Sequence, residues 1–285
     1  MVVDRQQLGK RLMTAAVGVP AAIVFSLVGG WGFLIVINFV LGIGLFEFYR
    51  MMECKGIKPY KTVGILAGLG VAWYVYFQEG VFSSFFVTGV IALVMVMELF
   101  RRDSELAVFH ISTTILGVFY VGWFGSHIIL LRQLGESSPW GDQGGWFVIL
   151  AFGLAWLCDT GAYFFGSAFG KTKLMPRVSP NKSLEGAIGG LVLAVATAFL
   201  ARHTFATFLS VWDALGLGVI SAVAATLGDL VESLMKRDVQ VKDTSRALPG
   251  HGGMLDRFDS VLFVAPFVYY YLRFIVPRLQ DIIHR

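Results

Sequence analysis

Nine long apolar runs constrain this chain more than any other feature of its sequence. A membrane-crossing α-helix needs about 20 mostly apolar residues, and each run is close to that length. Because lipid cannot satisfy exposed backbone N–H and C=O groups, such runs fold as helices. The sequence therefore predicts an all-α polytopic integral membrane protein with about nine transmembrane helices. The predicted spans are residues 12–30, 31–49, 62–78, 81–99, 107–131, 145–168, 186–208, 213–235 and 260–277.

The composition supports a membrane protein and argues against a nucleic-acid binder. Of the 285 residues, 56% are hydrophobic and 15% are charged, whereas soluble domains have about 45–50% apolar and about 25% charged residues. The net charge of +4 is typical of membrane topology and lipid contact, and no RNA- or DNA-reading pattern accompanies it. The first apolar run is long and is followed by further runs, which favours a retained span over a signal peptide. Cys54 and Cys158 are expected to be free thiols.

The distribution of basic residues predicts the orientation of the chain. With nine spans, 18 of the 23 Lys and Arg residues fall on one side of the membrane. Cytoplasmic loops carry the excess of Lys and Arg, so the N-terminus is predicted to be cytoplasmic and the C-terminus to lie on the far side. The charged loops 170–185 and 233–260 then face the cytoplasm. We expect a multi-pass protein of the cell membrane whose active site faces the cytoplasm.

The charged loops also predict the organisation of the chain into two regions. Residues 1–140 hold mainly spans, which we expect to pack against lipid or a second copy. Residues 141–285 form the predicted catalytic region. Pairs of glycines four residues apart, such as Gly64/Gly68 and Gly166/Gly170, fit close helix packing within the chain or in a homodimer, and the sequence leaves both open.

Acidic residues inside the apolar runs are the first sign of a functional site. Asp159 lies late in the sixth run, and Asp229 and Glu232 lie in the eighth. A charge within the membrane is costly, so such residues usually face a wet cavity or a partner. Asp229, Glu232 and Ser233 share one helix face because they are three and four residues apart. Carboxylates of this kind suit Mg²⁺; pairing with lysines at the helix ends is the alternative.

The stretch SLMKRDVQVKDTSRALPGHGGMLDRFDS, residues 233–260, supplies the complementary groups. Its Lys and Arg residues are of the types that bind phosphate. Glycines permit the close backbone approach that phosphate sites need. Topology alone explains Lys and Arg but not the aspartates among them. The mixture indicates a metal–polyphosphate site at the membrane face.

A second loop adds further polar groups. Residues 180–187, PNKSLEGA, are expected to open the seventh span, and a helix N-terminus is itself an anion site. His251 is interpreted as a loop residue rather than a metal ligand, because no second His or Cys stands at metal-binding spacing beside it.

These segments resemble the phosphatidate cytidylyltransferases, also called CDP-diacylglycerol synthases. The signature of that family is matched without a gap from Ser233 through PGHGG at 249–253 to Asp259. The segments DTGAYFFG at 159–166 and SPNKSLEG at 179–186 are also similar to the family. The family often has Lys where this chain has Asn181 and an aromatic residue where it has Leu184. The resemblance covers mainly residues 155–270.

The resemblance implies that the chain condenses CTP with phosphatidic acid to form CDP-diacylglycerol and pyrophosphate, and that it uses Mg²⁺. Whether a second cation takes part stays open. The phosphatidate oxygen is itself the nucleophile, so catalysis can rest on positioning and charge neutralisation. We expect CTP and membrane phosphatidic acid as partners and no nucleic acid, while a homodimer stays open.

The resemblance and this chemistry give each residue a hypothetical role. The predicted metal ligands are Asp229, Asp256, Asp259 and Asp159. The predicted substrate-binding residues are Asn181, Lys182, Glu185, Ser233, Gly250, Gly252 and Gly253. The predicted catalytic residues are Lys236, Arg237, Lys242, Asp243, His251 and Arg257. Among them, Lys182, Lys236, Arg237 and Lys242 are expected on the CTP phosphates and Arg257 on the phosphatidate head group, while Asp159 or Glu185 orients these bases or a second cation.

Two other functions remain open at this point. A CTP-dependent lipid kinase would transfer the γ-phosphate to a polyprenol and release CDP. A transporter would also have many spans and buried acids, but it often shows an inverted repeat and broken helices at the midplane, and the charges here gather at one face instead.

Overall fold

The computed structural model describes residues 5–78, 84–102, 105–136, 142–245 and 252–276. Helices dominate this part of the chain. They are α1 (Arg5–Val28), α2 (Gly30–Glu53), α3 (Lys61–Gln78), α4 (Ser84–Leu99), α5 (Ala107–Gly117), α6 (Phe124–Glu136), α7 (Gly144–Phe169), α8 (Leu184–Thr204), α9 (Val211–Asp238) and α10 (Leu255–Tyr270). A π-helical turn, Val118–Trp123, joins α5 to α6, and another, Tyr271–Ile275, follows α10.

The helices confirm the predicted fold class. Six described helical stretches are long and apolar enough to cross a membrane, and the shorter apolar helices Ala16–Val28, Lys61–Phe77 and Ser84–Leu99 accompany them. The protein is therefore a multi-pass membrane protein, while the count of nine spans stays a prediction. The spans predicted at 81–99 and 260–277 include residues outside the described part of the chain.

Two helices extend beyond the apolar runs that predicted them. Helix α9 continues to Asp238, so Lys236 and Arg237 belong to its last turn. Helix α10 begins at Leu255, before the predicted residue 260, so Asp256 lies in its first turn. Hydropathy underestimates both helices because their charged ends contribute backbone hydrogen bonds but no apolar surface.

A small antiparallel sheet departs from the all-helical expectation. Strand β1 (Lys173–Met175) pairs with β2 (Ser179–Ser183), with Lys173 opposite Ser183 and Met175 opposite Ser179. The loop expected to open the seventh span is thus partly a strand, and α8 begins only at Leu184. Ser183 caps α8, since its hydroxyl accepts a hydrogen bond from the Gly186 amide at 3.1 Å, as N-terminal serines commonly do.

The chain divides into two compact units. Unit 1 comprises residues 1–25, 30–130 and 236–257, and unit 2 comprises residues 26–29, 131–235 and 258–285. Residues 236–257, most of the charged stretch 233–260, thus belong to the same unit as the N-terminal helices. This division cuts across the two regions expected from the sequence, whose boundary near residue 140 stays a prediction.

Glycines allow the helices of unit 1 to approach closely. A Cβ added at Gly122 would lie 2.7 Å from the Cα of Gly68, so α3 and the first π-helical turn touch through their backbones. The Tyr49 ring is completely buried against Gly64 and Gly117, and its hydroxyl donates to the Thr114 carbonyl at 2.7 Å. Small residues of this kind are how membrane helices pack, and here the Gly64/Gly68 pair packs helices within the chain.

Glycines also set the spacing of helices in unit 2. A Cβ at Gly161 of α7 would lie 2.6 Å from the Gly189 carbonyl oxygen of α8, and one at Gly218 of α9 would lie 2.6 Å from Val195 of α8. A Cβ at Gly228 of α9 would lie 2.8 Å from a carbonyl oxygen of α10. This close packing of α7, α8, α9 and α10 positions the polar groups described next.

Candidate functional site

Unit 2 brings three of the predicted metal ligands into one group. Asp159 of α7, Asp229 of α9 and Asp259 of α10 interact electrostatically with one another through Asp159, and we call them the aspartate group. All three are partly exposed, and the side chain of Asp229 is 32% exposed. Residues that lie 70 and 30 positions apart in the sequence meet here because the glycine contacts bring their helices together.

Lys182 supplies positive charge to the aspartate group. Its ammonium nitrogen lies 2.5 Å from Oδ2 of Asp229, and strand β2 carries it there. Ser233, one helical turn after Asp229, donates its hydroxyl to Oδ1 of Asp229 at 3.3 Å. The structure thus joins Lys182, Ser233 and three aspartates, which the sequence had assigned separately to substrate and metal.

The aspartate group fits a hard divalent cation by the chemistry of its donors. Three carboxylates beside one another repel, and Mg²⁺ prefers oxygen ligands of this type. The contact between Asp229 and the ammonium of Lys182 shows that this carboxylate already holds a cation. Within the described residues, no group of three or more His, Cys, Asp or Glu side chains is arranged to hold a metal ion, so a cation here would need substrate oxygens or water as further ligands.

Asn181 on β2 and Glu185 in the first turn of α8 are close in sequence but have different surroundings. The Glu185 carboxylate accepts hydrogen bonds from the backbone amides of Lys171 and Thr172 at 3.1 Å, so it holds the start of the loop. Asn181 is exposed on β2. Glu185 therefore has a structural contact that its motif did not predict, and its predicted role toward substrate stays a prediction.

Unit 1 brings together Lys236, predicted to bind CTP phosphates, and Asp256, predicted to bind a metal. The Lys236 ammonium lies 2.8 Å from Oδ1 of Asp256, and the two side chains are only 12% and 8% exposed. A buried ion pair of this kind needs further hydrogen bonds to compensate for lost hydration.

Asp256 receives those additional hydrogen bonds from the loop before α10. Its Oδ2 accepts from the Gly253 amide at 2.7 Å, the Thr244 amide at 3.0 Å and the Thr244 hydroxyl at 2.9 Å. A carboxylate offers about four lone-pair positions, and Lys236 with these three donors accounts for them. Gly252 adopts φ +80, and a Cβ there would lie 2.8 Å from Oδ2, so a glycine is required. In this arrangement Asp256 anchors Thr244 and Gly253, and its place in a metal shell stays a prediction.

Glu47 is the residue of this region that the sequence did not single out. It lies on α2, is 2% exposed, and accepts hydrogen bonds from the Ser245 hydroxyl at 2.5 Å and the Leu255 amide at 2.8 Å. The Thr244 hydroxyl lies 3.4 Å away. Glu47 thereby ties residues 244–245 and the start of α10 to the N-terminal helices. An acid within the predicted span 31–49 was the available signal, by the same reasoning that selected Asp159 and Asp229.

The remaining predicted residues are more exposed or lie outside the described part of the chain. Lys242, Asp243, Arg237 and Arg257 are exposed in unit 1. Gly250 and His251 lie outside the described residues, and their roles stay predictions.

Comparison with known proteins finds similarity to cytidylyltransferases along nearly the whole chain. The profile of the family described as "Cytidylyltransferase family" matches residues 9–275. The chain is 34% identical to the phosphatidate cytidylyltransferase of Synechocystis sp., covering 96% of this chain and 99% of that protein. It is also 34% identical to the Bacillus subtilis phosphatidate cytidylyltransferase, covering 95% and 98%. Over a shorter segment, 44% of this chain and 48% of the relative, it is 51% identical to the Staphylococcus aureus phosphatidate cytidylyltransferase.

Proposed function

The chain belongs to the phosphatidate cytidylyltransferase family of nucleotidyltransferases, and on this premise we propose that it transfers the cytidylyl group of CTP to phosphatidic acid. The observation that carries the proposal is the similarity to two named phosphatidate cytidylyltransferases over at least 95% of the chain. The products are CDP-diacylglycerol and pyrophosphate.

The reaction needs positioning and charge neutralisation rather than a protein nucleophile. A phosphate oxygen of phosphatidate forms a bond to the α-phosphorus of CTP, while the bond from that phosphorus to the bridging oxygen breaks and pyrophosphate leaves with the electron pair. Negative charge gathers on the leaving group, so fixed cationic side chains lower the barrier. We propose, from the sequence motifs, that Lys182, Lys236 and Arg237 supply these charges.

The aspartate group of unit 2 is the proposed cation site. Asp159, Asp229 and Asp259 would hold Mg²⁺, which when bound would neutralise phosphate charge and hold phosphate oxygens in place. Asp229 would then exchange its contact with Lys182 for the ion, and the released ammonium would become available to a CTP phosphate. We propose a different part for Asp256, which fixes Lys236, Thr244 and Gly253 through hydrogen bonds.

We propose that the site faces the cytoplasm, where CTP is made. The support is the Lys and Arg distribution, since 18 of 23 fall on one side when nine spans are assumed, and cytoplasmic loops carry that excess. Accessibility of an introduced cysteine at Asn181 to an impermeant thiol reagent, in intact cells and in inverted vesicles, tests the sidedness.

One assay separates the proposal from its alternatives. Purified protein is supplied with Mg²⁺, CTP labelled at the α-phosphorus and either phosphatidate or a polyprenol, and pyrophosphate, CDP and the lipid products are measured. We expect pyrophosphate release and label in the lipid fraction only when phosphatidate is present. Release of CDP with a γ-phosphorylated lipid would indicate a CTP-dependent lipid kinase. Absence of any CTP turnover in folded protein would leave a transporter.

A further inference from the structure

Unit 1 contains a cavity whose lining includes the predicted site residues Lys242 and Asp243 and several residues without a predicted role. Its volume is about 640 Å³, within the usual range of small-molecule sites. One wall is the C-terminal part of α2 with Cys54 just beyond it, and the other is residues 241–245. The lining residues are Ile43, Phe46, Glu47, Arg50, Met51, Cys54, Val241, Lys242, Asp243, Thr244 and Ser245.

The cavity changes character along α2. Ile43, Glu47, Arg50 and Cys54 follow one another at helical spacing and therefore share a face. From Ile43 to Arg50 the helix rises by about 10 Å. The wall is apolar at Ile43 and Phe46 and cationic at Arg50. A ligand that lies along this wall must be apolar at one end and anionic at the other.

The apolar end continues along the helix beyond the cavity. Trp31, Ile35 and Phe39 of α2 are 57%, 59% and 66% exposed. They are spaced by four residues and lead to Ile43, so they form one inclined row on the helix surface. In a membrane-spanning helix this row faces lipid tails, so an acyl chain can lie along it without leaving an apolar environment.

The charged end presents two cations and one outward-facing acid. Neither Arg50 nor Lys242 uses its side chain in an ion pair or hydrogen bond with another described residue. The Glu47 carboxylate is turned inward, since Ser245, Thr244 and Leu255 donate to it. Asp243 is the remaining acid, and it is exposed. Arg matches the oxygens of a phosphate with a pair of hydrogen bonds.

We propose that this cavity binds the phosphate monoester of phosphatidate, with Arg50 and Lys242 on the phosphate and Ile43, Phe46 and Met51 against the lipid tails. The proposal rests on the proposed function and names the place of its lipid substrate. It adds Arg50 to the site, and it gives Lys242 to the acceptor phosphate, whereas the sequence grouped Lys242 with the residues for CTP.

CTP has the same type of phosphate oxygens but does not match the apolar end. A triphosphate is hydrated along its whole length and gains nothing from Ile43 or from the exposed row beyond it. Phosphatidate carries its charge and its hydrocarbon at opposite ends, as the wall does. The two ligands therefore make opposite predictions for a probe placed in the cavity.

Cys54 is such a probe, because it lines the cavity and is an exposed free thiol, whereas Cys158 is buried. The full-length protein in micelles is treated with a maleimide, and the rate of Cys54 modification is measured with phosphatidate, phosphatidylcholine or CTP added. A Cys54→Ser variant gives the background rate. We expect phosphatidate to slow modification by about tenfold at a concentration near ten times its dissociation constant, with no effect of phosphatidylcholine or of CTP.

Arg50→Gln should remove that protection, and Arg50→Lys should retain part of it. Arg102→Gln is the matched control, because Arg102 is an exposed arginine of the same unit outside the cavity. In turnover assays Arg50→Gln should raise the KM for phosphatidate by about tenfold, as expected for one lost charge-assisted hydrogen bond, without changing the KM for CTP. If Arg50→Gln does not fold, Ile43→Trp fills the apolar end and should give the same loss of protection.

The outcomes separate this inference from the proposed function. Protection by CTP instead of phosphatidate, or no protection in protein that makes CDP-diacylglycerol, overturns the cavity assignment while the activity stands. Protection by phosphatidate that depends on Arg50, in folded protein that makes no CDP-diacylglycerol, supports the lipid site and overturns the proposed activity.

Discussion

In unit 1 the carboxylates of Glu47 and Asp256 are buried among hydrogen-bond donors. Glu47 is 2% exposed, and the side chain of Asp256 is 8% exposed. In unit 2 the carboxylates of Asp159, Asp229 and Asp259 interact with one another and are partly exposed, and the Asp229 side chain is 32% exposed. All five lie in helices long and apolar enough to cross a membrane, where a charge is costly. The cost of each charge is compensated differently in the two units.

The difference assigns different work to the two sets. A carboxylate whose lone pairs are taken by protein donors stabilises a loop and has little capacity left for a ligand. A group of like charges that is open to solvent remains available to a cation. We therefore propose an anchoring role for Asp256, while cation binding by Asp159, Asp229 and Asp259 stays a prediction.

The largest expected effect comes from breaking the buried pair of unit 1. Lys236→Met leaves Asp256 charged and buried, and removing one partner of a buried ion pair costs about 3–5 kcal/mol. We expect a large fall in the thermal unfolding midpoint, measured in detergent micelles. The double variant Lys236→Met/Asp256→Asn should recover much of that loss.

Lys182→Met is the matched control in unit 2. Its partner is more exposed, so the loss of stability should be much smaller. Equal losses for the two lysine variants would contradict the distinction between the units.

Substitution in the aspartate group should change the free energy of unfolding less, but it should reduce activity. Asp229→Asn removes a charge from the proposed cation site, and loss of one transition-state contact of this kind reduces kcat by about 100-fold. The unfolding midpoint should change little, because the weakened contact with Lys182 is offset by the loss of one repulsive charge. Pyrophosphate release from CTP and phosphatidate is measured over a range of Mg²⁺ concentrations. Near-normal CDP-diacylglycerol formation would remove Asp229 from the site.

Glu47 sharpens the comparison from the other side. Glu47→Ala leaves the buried Leu255 amide and the Ser245 hydroxyl without their acceptor, and each such loss costs about 1–3 kcal/mol. We expect a lower unfolding midpoint together with weaker activity, and Glu47→Gln should keep part of both because one carbonyl oxygen remains. Asp159→Asn in unit 2 should show the reverse pattern, with activity lost and stability kept.

The smallest effect is expected for an exposed pair. Lys55 and Asp238 of unit 1 are 2.7 Å apart, but their side chains are 47% and 58% exposed. Such pairs contribute about 0–1 kcal/mol, so Lys55→Gln should leave both the unfolding midpoint and kcat nearly unchanged. A large effect would show that distance rather than burial governs the lysine–aspartate pairs of this protein.

Much of the candidate site could be read from the sequence because its residues form a continuous motif. The stretch 233–260 combines Lys, Arg, Asp and Gly in an order that membrane topology does not require, and the relatives confirm the family it indicates. Intramembrane acids led to Asp159 and Asp229, since an acid in an apolar run needs a reason. The same signal at Glu47 went unused.

By itself the sequence determined the helical class and the chemistry of the protein. Apolar runs of span length must form helices in lipid, and the charged motif predicts phosphate and cation ligands. Tertiary structure alone decided which acids are held by buried donors and which lie partly exposed beside other acids. Asp256 and Asp259 are three residues apart in one helix, yet the first is saturated by donors from its own loop and the second joins Asp159 from another helix. Composition and spacing are the same whichever donors surround a carboxylate, so only the packing of the chain could separate them.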